Sequence, residues 1–279
     1  MSDLASPGRT IAMVNSDGKQ APVAADPPGV TTRLYDLRFR VMARTPYEHL
    51  FTELGTLDVA ERALADGCDV VYVDTFGDYA VERIRALTSR PVIGAGEASI
   101  RHAAAEHASY SIVTVWPQSM AYLYDERLES TPGGRSCRGL HHLSDDDELD
   151  RVGRRDGVKA RMGRHEDGVV DALVDLSRRA LEQDRSDAVL LGCTCMSPVA
   201  AQLRDRLDVP VLDPSAIGLA AAQEAALEPA PPHRPSAVRH TGLAGAAVQA
   251  YLVAEQAETV WIDDCGVCAI TQTATPTAH

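Results

Sequence analysis

The chain has 279 residues, of which 45% are hydrophobic, 24% charged and 5% aromatic, and its formal net charge is −13 at pH 7. This length suffices to bury a substantial core in one large domain or two small lobes. The acidic balance and the lack of a Lys/Arg-rich run argue against nucleic acid or an anionic membrane as a partner, although backbone N–H groups could still bind a small anion.

The first eighteen residues, MSDLASPGRTIAMVNSDG, contain no apolar stretch long enough for a signal peptide, and no later stretch approaches a membrane span. Six cysteines in a chain of this length do not make a disulfide scaffold. We therefore expect a cytoplasmic protein with reduced thiols.

Short apolar runs alternate with alanine-rich stretches of helical period, which predicts an α/β fold with mainly parallel sheets. The predicted strands are Thr10–Asn15, Asp69–Asp74, Pro91–Gly94, Tyr110–Val115, Ala188–Gly192 and Pro210–Asp213. The predicted helices are Tyr47–Asp66, Tyr79–Ser89, Ala98–Ala108, Gly168–Gln183, Pro198–Leu207, Ser215–Leu227 and Gly242–Glu258. Residues 129–165 are expected to form a loop-rich connection with a short helix, and residues 228–235 a proline-rich break.

Two stretches of the chain repeat one order of elements. Residues 69–99 and 187–217 each contain an apolar strand, a polar turn, a helix, a Pro-Val strand and a small-residue helix start. Thr75 lies 16 positions before Pro91, and Cys193 lies 17 positions before Pro210. The repeat predicts two related lobes with Thr75 in the position of Cys193. The alternative is a chance similarity of two βαβ units, which recur widely.

The two turns are candidates for a site because ligands of open α/β sheets bind beyond the carboxyl ends of the strands. Ser197 is expected to cap the helix after Cys193, with Pro198 as its first residue. A helix start lowers the pKa of a nearby thiol and can hold a carboxylate, so Cys193 could exchange a proton with a carbon held between the lobes. The alternative is that Cys193 and Cys195 are buried packing residues, a role that suits Cys195 better.

These motifs together resemble the aspartate/glutamate/hydantoin racemase superfamily, with the hydantoin racemase branch as the nearest. The resemblance covers about residues 9–228 and includes LLGCTCM, VPVLDPSA, TFGDYA, RPVIGAGEAS, YSIVTV and IAMVNSD. It implies two pseudo-symmetric α/β lobes, each a mainly parallel sheet flanked by helices, with the active site in the cleft. It also implies proton transfer by one cysteine from each lobe, with no cofactor.

Carried over by position, the resemblance makes Cys193 the second-lobe catalytic cysteine and places Thr75 where most members have the first. Asp78 ends the same motif and is a candidate replacement base, as are Asp74 and water. The residues expected to bind substrate are Asn15, Ser16, Phe76, Gly77, Thr114, Val115, Trp116 and Thr194. Ser16 and Val115 depart from the family pattern.

The threonine at position 75 is the main departure, because a hydroxyl is far too weak a base to remove an α-proton unaided. Three hypotheses follow. The first is a racemase- or epimerase-type isomerase acting at a carbon next to a carboxylate or carbonyl, with Cys193 as acid/base. The second is a lyase similar to arylmalonate decarboxylase, in which Cys193 protonates a carbanion. The third is a member that binds a small molecule without catalysis.

The sequence also predicts the boundaries of the two lobes and the partners of the protein. Residues 9–112 with 213–258 are predicted to form the first lobe, 113–212 the second, and 259–279 a C-terminal extension. We expect a small carboxylate or hydantoin-like substrate, a homo-oligomer, and neither nucleic acid nor membrane as a partner. The CxxC pair Cys265 and Cys268 could be half a zinc site, but without a second pair we expect no metal site.

Overall fold

A computed structural model describes residues 8–15, 24–229 and 242–257 of the chain. In these residues eight strands form two parallel sheets with the same strand order. The strands are β1 (Arg9–Asn15), β2 (Val30–Asp36), β3 (Val70–Val73), β4 (Val92–Gly94), β5 (Tyr110–Thr114), β6 (Cys137–His142), β7 (Val189–Leu191) and β8 (Val211–Leu212). The first sheet has the order β2-β1-β3-β4 and the second has the order β6-β5-β7-β8. The equivalent strands therefore stand in equivalent places, as the sequence repeat predicts.

Helices cover the sheets and connect their parallel strands. They are α1 (Pro46–Ala65), α2 (Val81–Leu87), α3 (Ala95–Glu106), α4 (Ala121–Ser130), α5 (Val158–Gly163), α6 (Asp167–Asp184), α7 (Ala200–Arg204), α8 (Pro214–Leu227) and α9 (Leu243–Ala257). The start of α1 shows why its sequence forms a helix at this point. Thr45 and Glu48 form a reciprocal capping box, and Pro46 occupies the first helical position.

The α/β fold class predicted from the sequence is confirmed, whereas two strands were not predicted. The central strands β3 and β7 are entirely buried, and they appear in the sequence as continuous apolar runs. The missed strands β2 and β6 each form one edge of their sheet and are partly exposed, whereas the opposite edge strands β4 and β8 are more buried and were predicted. A partly exposed strand needs no continuous apolar run, because its exposed positions tolerate polar residues. Helix α4 was also missed.

The two sheets exchange the helices that follow their last strands. Helix α8, which follows the second sheet, packs its Leu219 and Ala222 with Ile11 and Tyr72 in the core of the first sheet. Helix α3, which follows the first sheet, contributes Ile100 and Ala103 to the core of the second. This exchange brings α3 and α8 into contact with each other between the two halves of the molecule. The predicted bounds of the two lobes remain a prediction.

No helix in the described part of the chain is long and apolar enough to cross a membrane.

Candidate active site

The turn that ends β3 places Thr75 at the cleft and directs Asp78 away from it. The Asp78 N–H donates to the Thr75 carbonyl at 3.2 Å, and Asp78 has a positive φ of 48°. Its carboxylate accepts the N–H groups of Gly96 at 2.8 Å and Glu97 at 2.6 Å. The side chain therefore caps the start of α3.

Burial raises the pKa of Asp78 to about 7, although these two N–H groups act in the opposite direction. Asp78 is 3% exposed and does not line the cavity described below. Asp74, the other candidate carboxylate, accepts the Tyr72 hydroxyl at 3.0 Å and also lies outside the cavity wall. Neither carboxylate is placed to take a proton from a molecule in the cavity as it stands.

The turn that ends β7 begins a helical segment earlier than the sequence predicts. A 3-10 helix spans Thr194–Val199 and leads into α7, so Cys193 and not Ser197 is the N-cap. The Cys195 N–H donates to Cys193 Sγ at 3.2 Å. Ser197 instead donates its hydroxyl to Asp213 at 2.6 Å, which links this turn to the start of α8. The prediction that Ser197 caps the helix was wrong because the sulfur of Cys193 already accepts the first free N–H.

Cys193 and Cys195 are joined as a disulfide in the structure. This pairing contradicts the expectation that every thiol is reduced. Cys195 is 3% exposed and belongs to the second core, as expected for a packed residue, yet it also lines the cleft. Proton transfer requires the reduced form, since a disulfide sulfur carries no proton.

A cavity of about 80 Å³ lies between the two turns. Its walls are mostly apolar and aromatic, which is typical of a site for a small molecule. The residues that line it are Met42, Thr75, Phe76, Gly77, Tyr79, Trp116, Met120, Leu123, Tyr124, Lys159, Gly192, Cys193, Thr194 and Cys195. The structure thus brings together six of the residues predicted to form the site: Cys193, Thr75, Phe76, Gly77, Trp116 and Thr194.

Thr75 supplies an unused hydrogen-bonding group in this cavity. Its residue is 7% exposed, and its Oγ1 has no hydrogen-bond partner in the structure. A buried hydroxyl without a partner costs free energy, and native proteins keep few of them. The Thr75 hydroxyl is therefore available to a bound molecule.

Two other predicted substrate-binding threonines have hydroxyls engaged within the protein. Thr194 donates its hydroxyl to the Asp74 carbonyl at 3.0 Å, which ties the two turns together across the cleft. Thr114 lies behind the wall, where its hydroxyl is 2.6 Å from the Tyr124 hydroxyl, and Tyr124 in turn donates to the Gly192 carbonyl at 2.8 Å. Val115 is buried in the second core and does not reach the cavity.

Gly192 explains why a glycine precedes the cysteine. A Cβ atom at this position would lie 2.8 Å from the Thr114 Cβ and 3.0 Å from the Tyr124 ring. The close approach of β5 and α4 to the end of β7 therefore requires glycine, and this packing fixes the backbone on which Cys193 stands.

Some predictions fall outside the described residues. These are Ser16, the side chain of Asn15, the CxxC pair Cys265 and Cys268, and the C-terminal extension 259–279. They remain predictions.

Several wall residues were missed from the sequence, and Lys159 on α5 is the most informative of them. It is the only cationic side chain among the described residues that line the cavity. The sequence contained one signal, since only two of its 27 basic residues, Lys19 and Lys159, are lysines. Tyr79 belongs to TFGDYA but was not predicted to line the site, and Met42, Met120, Leu123 and Tyr124 come from segments without a recognisable motif.

Comparisons with known proteins identify the family of this two-lobed arrangement. Residues 6–222 match the family described as Asp/Glu/Hydantoin racemase. The chain belongs to this family. It is 30% identical over 149 residues to the hydantoin racemase of Paenarthrobacter aurescens, a match that covers 52% of this chain and 56% of that protein. The chain thus spans just over half the length of this curated relative.

Solved structures show the same fold at lower identity. The allantoin racemase from Klebsiella pneumoniae superposes with a TM-score of 0.66 and 23% identity, covering 78% of this chain and 87% of that one. A double mutant of arylmalonate decarboxylase in its liganded form superposes with a TM-score of 0.59 and 23% identity, covering 82% of this chain and 96% of that one. The resemblance deduced from the sequence is confirmed, and both named reaction types occur on this fold.

Proposed function

We propose that the protein is a cofactor-independent isomerase that transfers a proton at a carbon next to a carboxylate or carbonyl, with reduced Cys193 as the acid/base. Its substrate would be a small 5-substituted hydantoin, a related cyclic ureide or a small acid. The observation that carries this proposal is the position of Cys193 and Thr75 at equivalent strand ends on one cavity.

The contacts around Cys193 support its role. The N–H of Cys195 donates to its sulfur and favours the thiolate. The thiolate would take the α-proton, and the electron pair of the broken C–H bond would delocalise onto the adjacent carbonyl oxygen. The Thr75 hydroxyl, which has no partner, is suited to donate a hydrogen bond to that oxygen.

The return proton requires a donor on the opposite face of the substrate, where the first-lobe cysteine is absent. A water molecule held at the Thr75 hydroxyl would fill this role. The α-proton of a hydantoin lies beside a ring carbonyl that stabilises the anion, so in the reverse direction a weaker base suffices to remove this proton than an amino acid requires.

A second function, decarboxylation of a disubstituted malonic acid, is favoured by one observation. Cys193 and Cys195 are the only thiol-bearing residues on the described wall, and no carboxylate lies on it. A decarboxylase needs only one proton donor and no base, because the electron pair of the broken C–C bond stays on the α-carbon when CO₂ leaves. Thr75 and Lys159 would then hold the carboxylate that remains.

Two assays on the reduced full-length protein separate the functions. Each enantiomer of a 5-substituted hydantoin is incubated in D₂O, and loss of optical rotation is followed together with deuterium at the α-carbon. Arylmalonates are tested in parallel for CO₂ release. The isomerase predicts racemisation with deuterium uptake, and the lyase predicts CO₂ with one deuterium in the product.

The outcomes that contradict the proposal are distinct. CO₂ release without racemisation would replace the isomerase by the lyase. Ligand binding without turnover across both panels would favour a non-catalytic binding protein. Turnover that survives Cys193→Ala unchanged would exclude both enzymatic functions.

A further inference from the structure

The Cys193–Cys195 disulfide contributes little to the stability of the fold. The two Cα atoms are 5.1 Å apart, within the range that disulfides require, and only one residue separates the cysteines. A cross-link of this kind stabilises mainly by restricting the unfolded chain, and that effect shrinks with the length of the closed loop. Closing a loop this short therefore adds very little to the free energy of unfolding. Its location on the cavity wall therefore points to a chemical role.

The two cysteines differ in their solvent exposure, and this difference determines which sulfur an oxidant reaches first. Cys193 is partly exposed on the cavity wall, whereas Cys195, on the same wall, is only 3% exposed. The Cys195 N–H donates to Cys193 Sγ, so the sulfur that faces the cavity also has a hydrogen-bond donor beside it, and the thiolate is the form that peroxides oxidise. A small oxidant that enters the cavity would thus meet the sulfur of Cys193 first.

The other described cysteines lack these features. Cys68 is 1% exposed, with its sulfur 3.4 Å from the Tyr35 hydroxyl. Burial raises the pKa of Cys137 to about 11, so this thiol stays protonated at neutral pH. Both are unpaired in the structure. Cys193 is therefore the thiol that the fold exposes to oxidation with a partner within bonding distance.

We propose that Cys193 and Cys195 form a reversible oxidation site, in which Cys195 is the resolving thiol for Cys193. A peroxide is the oxidant. The Cys193 thiolate attacks the peroxide, its O–O bond breaks, and Cys193 becomes a sulfenic acid while water or an alcohol leaves. The Cys195 thiol then displaces water from that sulfenic acid, and the S–S bond forms. Two electrons pass from the two thiols to the peroxide.

The modification has two consequences for the site. The disulfide removes the transferable proton of Cys193, so the oxidised protein cannot perform acid/base chemistry; this consequence rests on the proposed function. The disulfide also protects Cys193 from irreversible oxidation to sulfinic or sulfonic acid, because a small thiol reductant restores both cysteines by exchange.

Peptide mass measurement tests the site without any substrate. The full-length protein is reduced with dithiothreitol, freed of reductant, treated with graded hydrogen peroxide and alkylated before digestion with trypsin. The tryptic peptide from Ser186 to Arg204 contains Cys193 and Cys195 and no other cysteine. We expect this peptide to lose two hydrogens, to escape alkylation, and to regain two alkylatable thiols after dithiothreitol. Fragmentation separates this change from oxygen added at Met196.

Two variants provide the contrast. In Cys195→Ser, Cys193 should instead gain two or three oxygens that dithiothreitol does not remove. Cys137→Ser, which loses a half-buried thiol elsewhere, should form the disulfide as the unmodified chain does. Circular dichroism checks that each variant is folded.

The proposal is overturned if the peptide keeps two alkylatable thiols at peroxide concentrations that oxidise free thiols, or if Cys195→Ser is oxidised as reversibly as the unmodified chain. Disulfide formation without turnover on any substrate would contradict the proposed function and leave the oxidation site standing. Turnover that persists in the fully disulfide-bonded protein would contradict the catalytic role of Cys193 but not the oxidation site.

Discussion

The turns that end β3 and β7 occupy equivalent places in the two sheets but carry different chemistry. The β7 turn presents Cys193 to the cavity, supported by the N–H of Cys195. The β3 turn presents Thr75, whose hydroxyl has no partner. Once Cys193 is reduced, its turn carries a thiol that can exchange a proton, whereas the β3 turn can only donate or accept a hydrogen bond. The fold is symmetric in its strands and asymmetric in its reactivity.

The turns also differ in how they hold the helices that follow. The β3 turn caps α3 directly through the buried carboxylate of Asp78. After the last strand of the second sheet, Asp213 caps α8 from its own N-cap position, and Ser197 links that carboxylate to the β7 turn. The carboxylate that caps α3 thus belongs to the β3 turn, whereas the carboxylate that caps α8 lies outside the β7 turn.

Removing the thiol should have the largest effect on this asymmetry. We expect Cys193→Ala to lower kcat/KM by about 10³-fold or more, since general acid–base catalysis contributes about 10²–10⁴-fold. Steady-state kinetics on the reduced protein measure this loss. Cys137→Ala removes a thiol outside the cavity and should retain activity; an equal loss in both variants would point to a folding defect.

The buried cap in the other turn should make stability depend on pH. Folded Asp78 holds its proton up to a pKa of about 7, whereas an unfolded aspartate loses it near 3.8. The raised pKa adds stability that is complete below the unfolded value and is lost as the pH rises to 7. The stability of the unmodified chain relative to Asp78→Asn should therefore fall by about 4 kcal/mol between pH 4 and 7.5.

Urea unfolding of both proteins across this pH range measures the difference, in which the other titrating groups cancel. A difference that grows with pH would show that the two N–H donors dominate and that the carboxylate is charged in the fold.

Removing the unpartnered hydroxyl should separate activity from stability. Thr75→Val keeps the shape of the side chain but loses the donor to the developing oxyanion, so we expect kcat/KM to fall about 10- to 100-fold. Because the hydroxyl has no partner in the structure, the free energy of unfolding should stay the same or rise by about 1 kcal/mol. A loss of stability would instead indicate a structural role for this hydroxyl.

Giving both turns a thiol should increase proton exchange. Thr75→Cys places a second thiol at the equivalent strand end, and we expect α-proton exchange to increase by about tenfold or more. Deuterium uptake from D₂O measures the exchange. An unchanged rate would show that the Thr75 position does not face the reacting carbon.

Lys159 should have the smallest effect, confined to binding. Lys159→Met removes the cation from the wall, so we expect KM for an anionic substrate to rise about tenfold with kcat nearly unchanged, a change of about 1.4 kcal/mol. Lys159→Arg should restore most of the affinity. An equal effect on a neutral substrate would indicate a packing role.

The family, the buried strands and the equivalence of Thr75 and Cys193 could all be predicted from the amino-acid sequence. Buried parallel strands must be continuous apolar runs, and the turns after them contain residues that the backbone geometry restricts, so both leave a local record. The edge strands β2 and β6 left none, because a half-exposed strand tolerates mixed residues.

The contacts of each side chain in the site could not be predicted from the sequence. Asp78, Thr114 and Thr194 stand where a motif places them, yet their polar atoms are engaged by α3, Tyr124 and the Asp74 carbonyl. Lys159 reaches the cavity from a segment with no motif, and α3 and α8 cross to the opposite sheets. Hydrogen-bond partners and cavity walls are contacts between residues distant along the chain, and these depend on packing rather than on local sequence.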